Sequence, residues 1–152
     1  MGINFRLAKK SICIVGMLIV AISSFFIIAN ANRNTNLARL DNLIRTIELP
    51  DTIEIIAIQS AVGDSGGNGN HRTLRSVMLV RTNTTIESLS ETLVNLGFHH
   101  MSMAVRNWEY PEFNIHQATG YQFRSPREFQ ITFNELKSVD EFQGYYFIEF
   151  IR

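Results

Sequence analysis

The sequence predicts an α+β protein: an N-terminal transmembrane helix followed by a small domain whose mainly antiparallel sheet is covered by helix on one face. Three observations lead there. Residues 11–31, SICIVGMLIVAISSFFIIANA, contain no charged side chain. Beyond them the hydrophobic period switches from helical to alternating, back to helical, and then to a series of short alternating segments. Finally, 152 residues with 45% hydrophobic and 11% aromatic content suffice for one packed domain and are too few for two.

The sequence divides into a basic segment (1–10), the apolar run (11–31), an amphipathic stalk (32–50) and the domain proper (51–152). At about 1.5 Å per residue a helix over 11–31 matches the ~30 Å hydrocarbon core of a bilayer, and no polar stripe interrupts it. Arg6, Lys9 and Lys10 precede it and no acid occurs before Asp41, so the positive-inside rule places the N-terminus in the cytoplasm and the domain outside. Ala29-Asn30-Ala31 has the small-x-small form that signal peptidases cut after, but the apolar run exceeds the 7 to 15 residues usual for a cleaved signal. The expectation is an uncleaved single-pass signal-anchor at the cell membrane, with secretion after cleavage at Ala31 as the alternative. Cys13 follows no lipobox, and Arg6 stands where a myristoylation pattern wants serine or threonine.

Cys13 is the only cysteine, so the exported part forms no disulfide and fits a bacterial envelope domain held by its core alone. All 14 acids but only 11 of the 14 basic residues follow residue 31, giving the exported part a formal charge of about −3. Net charge therefore indicates neither nucleic acid nor anionic lipid as a partner.

Leu37, Leu40, Leu43, Ile44 and Ile47 form one helical face over residues 34–48, expected to pack on the domain, with Pro50 ending the helix. Residues 53–62 are an apolar, β-branched run suited to a strand buried on both faces, and residues 75–82 read as a second strand. Thr84 and Glu87 have capping-box spacing before a helix whose stripe is Ile86, Leu89, Leu93 and Leu96, and Gly97 is its stop. Met101, Met103 and Val105 alternate as a half-buried strand. Residues 108–120 read mostly as loop, with the aromatic Trp108-Glu109-Tyr110-Pro111 expected to fold back on the sheet. Short strands follow around Tyr121 and Phe123 and over 129–133, then a helix or turn within 134–142, then a final strand within 144–152.

Several motifs invite a functional reading. Gly63-Asp64-Ser65-Gly66-Gly67 resembles the nucleophile segment of trypsin-like serine proteases, but no histidine precedes His71 and Asn68 replaces the proline of that family. No catalytic constellation is therefore assigned, and the chain reads as a non-enzyme. The glycine-rich segment from Gly63 to His71 matches neither a P-loop nor a dinucleotide fingerprint. Its oxygens at Asp64, Asn68 and Asn70 lack the rest of a calcium loop, and His71, His99, His100 and His116 have no metal-ligand spacing. No metal, cofactor or small-molecule substrate is indicated. The segment is an ordinary turn or, in its functional reading, a partner-contact loop of Gly63, Asp64, Gly67, Asn68, Gly69, Asn70 and His71.

Leu49-Pro50-Asp51-Thr52, Ala61-Val62-Gly63-Asp64, Gly67-Asn68-Gly69-Asn70 and Met78-Leu79-Val80-Arg81-Thr82, leading into a Thr-Ile-Glu-Ser-Leu helix, form a pattern over residues 49–96. It is similar to a group of small, uncharacterised membrane-anchored proteins of Gram-positive bacteria with an LP-x-T, a GNGN-like loop and an L-[IV]-x-S/T strand end. The resemblance implies an envelope location and a shared α+β domain, and it supplies no activity.

The function expected is thus that of an extracytoplasmic binding or interaction module at the cell envelope, with an envelope protein as the candidate partner. The alternatives are a structural subunit of a pilus-like or secretion assembly and an envelope enzyme using carboxylates such as Asp64 and Glu109. The pilin-like layout lacks the prepilin Gly-Phe cut and its glutamate.

Overall fold

Between Phe5 and Arg45 the chain has no proline and one glycine, Gly16, so nothing interrupts the backbone ladder. The result is a single 41-residue helix, α1 (Phe5–Arg45), in a computed structural model that describes residues 5–64, 72–101, 111–124 and 129–152. The apolar run and the stalk are thus one helix. It ends at Arg45, five residues before Pro50, in a turn where the Thr46 amide donates to Asn42 and Leu43. By length and composition it can cross a membrane.

The chain forms two compact units, Met1–Asn36 and Leu37–Arg152. In the first, the described apolar side chains of the helix are exposed: Met17 is 66% exposed and Phe25 71%. The second is a mixed α+β unit. Strands β1 (Ile53–Asp64), β2 (Arg72–Thr82), β3 (His99–His100), β4 (Glu112–Gln117) and β7 (Tyr145–Ile151) form one sheet in the order β1-β2-β7-β4-β3. All its pairs are antiparallel except β3 with β4. Strands β5 (Gln122–Arg124) and β6 (Gln130–Thr132) pair separately as a two-stranded ribbon.

Alternation along the central strands sends successive side chains to opposite faces. Met78, Val80, Ile148, Phe150 and Phe113 form one face and pack with Leu40 and Ile44 of α1 and Leu89 and Leu93 of helix α2 (Ile86–Asn95). Val77, Leu79 and Phe147 form the other, covered by Phe123 and Ile131 of the ribbon and by Phe133 and Leu136 around a 3₁₀ turn at Asn134–Leu136. The expected helix-covered face is present, and the ribbon supplies a third layer.

Several elements differ from their sequence reading. The run at 53–62 is an edge strand, so most of its side chains are half-buried, and a register shift between Ile55 and Ala57 bends it. Strand β4 occupies part of the expected loop at 108–120. Its Phe113 and Ile115 alternate with Glu112, Asn114 and His116, a period of two that the polar residues conceal. Helix α2 is capped one residue later than expected: the Thr85 hydroxyl accepts from the Ser88 amide, while Thr84 is engaged by Thr82. Ile86 and Leu96, at the ends of the expected stripe, are exposed. The C-terminus follows the expectation: Gly97 has φ +91°, Phe98 N–H donates to Leu93 and Gly97 N–H to Val94, closing a Schellman motif. The expected strand at 101–105 lies outside the described residues beyond Met101, as does the segment from Trp108 to Tyr110.

Polar contacts fix α1 on the sheet. Asp41 accepts from Arg45 Nε at 2.7 Å and from Ser60 Oγ at 2.6 Å, Ser60 also reaches the buried Ser76 at 2.8 Å, and Arg45 Nη2 donates to the Ile58 carbonyl. Partial burial works to raise the Asp41 pKa, but the bonds from Arg45 and Ser60 and the Arg45 charge outweigh it and hold the carboxyl below its ordinary value. A depressed native pKa contributes stability above the unfolded value of ~3.9, and that contribution is lost as pH falls through the native value. Urea unfolding of the detergent-solubilised chain at neutral and acid pH is expected to show a smaller acid loss in Asp41→Asn than in wild type; equal losses would contradict the linkage.

Candidate functional site

Two charges interrupt the apolar alternation of the central strands. Arg75 shares a face with Val77 and Leu79, and Glu149 shares it with Phe147. The register pairs Arg75 with Ile151 and Val77 with Glu149, so the two charged residues are diagonal neighbours. Arg75 Nη1 donates to Glu149 Oε1 in a buried ion pair, and the guanidinium lies 5.3 Å from the centre of the Phe129 ring. The carboxylate's other oxygen, Oε2, faces His116 Nε2 at 3.6 Å, outside hydrogen-bond reach and close enough for an ion pair whenever the imidazole carries a proton. The ring of His116 stands edge-on to Phe123 at 5.4 Å, and its side chain is 41% exposed.

The site therefore joins three strands of the large sheet to the ribbon. Its cation and carboxylate are shut away from solvent, so their chemistry is mutual neutralisation and the fixing of Phe129. His116 is the member whose side chain solvent partly reaches, although the Nε2 that faces the carboxylate is buried.

This cluster lies under the strand end where the expected partner loop begins. Gly63 and Asp64, assigned from sequence to that loop, belong to β1, paired with Thr73 and Arg72. Gly63 is buried, and a Cβ there would stand 2.8 Å from Phe129 Cδ2 and 3.3 Å from Arg75 Nε. Glycine at this position provides close approach. Gly67, Asn68, Gly69, Asn70 and His71, with Ser65, lie outside the described residues, as does Glu109 of the carboxylate pair considered for an enzyme.

His99 and His100 form β3. His100 contacts the Ser90 hydroxyl, and its ring lies tilted by 36° at 4.4 Å from that of Phe113. Among the described residues no three His, Cys, Asp or Glu side chains are grouped to hold a metal ion. Sequence reading missed Arg75 and Glu149, although the signal was present: a charge of each sign at an inward-facing position of a β-branched or aromatic strand. No protein-family model, curated protein or solved structure matches the chain.

Removing one partner of a buried pair strands the other charge. Glu149→Gln is expected to cost ~3–5 kcal/mol in urea unfolding, and the double change Arg75→Met, Glu149→Leu substantially less. A double variant as unstable as the single one would contradict mutual neutralisation. Gly63→Ala is expected to cost ~1–3 kcal/mol by forcing the Phe129 ring aside, also read from urea unfolding; an unchanged midpoint would refute the packing constraint.

Proposed function

We propose that the protein is a membrane-anchored extracytoplasmic domain acting as a binding or interaction module at the bacterial cell envelope. The observation that carries this reading is the exposed apolar surface of α1 from Ile14 to Ile28. Soluble monomers rarely expose so long an apolar surface, and a lipid bilayer covers it without a protein partner.

The reading of α1 as a retained anchor gains support from its continuity. Residues 29–31 are in the middle of a helix that continues to Arg45. Peptidases take their substrates in extended form, and unwinding here would break a helical ladder with no glycine or proline nearby to weaken it. Orientation rests on Arg6, Lys9 and Lys10 before the apolar run. The resemblance to membrane-anchored proteins of Gram-positive bacteria points to the same compartment.

For the binding role, residues 65–71 between β1 and β2 are the proposed contact, following the strand end that Gly63, Phe129 and Arg75 hold in place. Binding residues concentrate on loops carried by a rigid scaffold.

Protease added to intact cells is expected to remove the domain while leaving a membrane-held N-terminal fragment. Full protection in intact cells, with digestion only after lysis, would reverse the orientation. Crosslinking from the loop in the envelope is expected to capture a partner that a folded Gly67→Val, Asn70→Ala variant loses; retention of every partner by that variant would remove the loop from the proposal.

A further inference from the structure

Ser60, Ser76, Phe150, Phe113 and His100 stand in one row across all five strands of the large sheet. Helix α1 meets this row where Asp41 accepts from Ser60, and α2 meets it where Ser90 contacts His100. Arg45 reaches Ile58, so α1 runs opposite to β1, and its residues 37–40 lie beyond the row toward Asp64. The end of α2 lies beyond the same side of the row, because the chain returns from Gly97 into β3 through His99, which pairs with Glu112 one step nearer that end. The point where the chain enters the domain and the tip of α2 therefore share one end of the sheet.

That end differs from the other in two respects. Val94 and Leu96 at the tip of α2 are 47% and 43% exposed, although Leu89 and Leu93 of the same helix are buried. Among the described residues its charges are few: Arg39, Arg124 and Arg152 are exposed, Glu112 is half-buried, and the strand-terminal Asp64 and Arg72 offset each other in formal charge. The opposite end, where Ile53 pairs with Thr82 and Thr82 N–H donates to Gly144, presents Glu48, Asp51, Glu87, Asp140 and Glu141, all exposed, beside Glu54 paired with Arg81. Among the described residues, the unpaired exposed acids are concentrated away from the entry end.

From this we infer that the entry end rests on the membrane that holds the chain, with Val94 and Leu96 entering the headgroup region and Arg39 and Arg124 facing the phosphates of anionic phospholipid. The inference rests on the anchor reading. The charge-free run ends at Ala31, six residues before Leu37, so the tether keeps this end within reach of the surface. Apolar tips flanked by arginine suit an interface whose outer layer is anionic and whose inner layer is apolar, and the acid-rich end is repelled by the same surface.

The test uses the full chain in a Cys13→Ser background, with an environment-sensitive fluorophore on Leu96→Cys, Asp140→Cys or Val20→Cys, each checked for folding by circular dichroism. The chains are reconstituted into vesicles of phosphatidylcholine alone or mixed with phosphatidylglycerol, and depth is read by spin-labelled-lipid quenching. The probe at 96 is expected ~5–10 Å into the headgroup and acyl boundary, with quenching that increases with phosphatidylglycerol and decreases with salt, while the probe at 140 stays unquenched. A probe at 96 no more quenched than that at 140, with position 20 deeply quenched, overturns the docking and leaves the anchor standing. An unquenched probe at 20 overturns the anchor and the docking together. Equal quenching at 96 in both lipids overturns the assignment to anionic headgroups.

Discussion

The pairing of β2 with β7 is the constraint on which the rest of the domain depends. Seven residue pairs, from Arg75 with Ile151 to Arg81 with Tyr145, place these two strands at the centre of the sheet with both faces covered. A slip of one residue would send Phe147 and Glu149 to the helix side and Ile148 and Phe150 to the ribbon side, exchanging the contents of two different cores. The same register makes Arg75 and Glu149 neighbours. Because an uncompensated charge at either position is costly, the ion pair penalises a misregistered sheet as well as joining the layers.

The two cores are unequal in kind. The helix side is mostly aliphatic, with Leu40, Ile44, Leu89 and Leu93 meeting Met78, Val80 and Ile148. The ribbon side is aromatic, with Phe123 and Phe133 against Phe147 and Phe129 against Arg75. Two three-residue strands offer little area of their own, and large rings let a small ribbon cover a wide sheet face. Gln59, whose side chain donates to the Thr132 carbonyl, and Gly63, which leaves room for the Phe129 ring, join that ribbon to the edge strand.

What could be read in the sequence follows from where one type of interaction dominates. The apolar helix, the stripe Leu89 and Leu93, the stop at Gly97 and the final strand were legible because each rests on local periodicity or a single backbone requirement. Strand β4 was not, since its polar residues face a partly open layer and its burial comes from β7, distant in sequence. The single-residue displacement of the α2 cap arises because the Thr82 hydroxyl engages Thr84, a contact that spacing alone does not disclose. The candidate site was legible only in retrospect. Arg75 and Glu149 stand at inward positions of two predicted strands, but nothing local specifies that those strands pair. Gly63 was read as loop because glycine is rare within strands, yet here it serves an aromatic ring arriving from another layer.

The proposed envelope role depends on helix α1 staying attached and in the membrane. The most direct measurement is the intact mass of the protein recovered from membranes of its native host after alkaline extraction. A retained anchor predicts a chain in the membrane fraction that still carries residues 11–31. Recovery from the medium of a form beginning at Asn32 would contradict it.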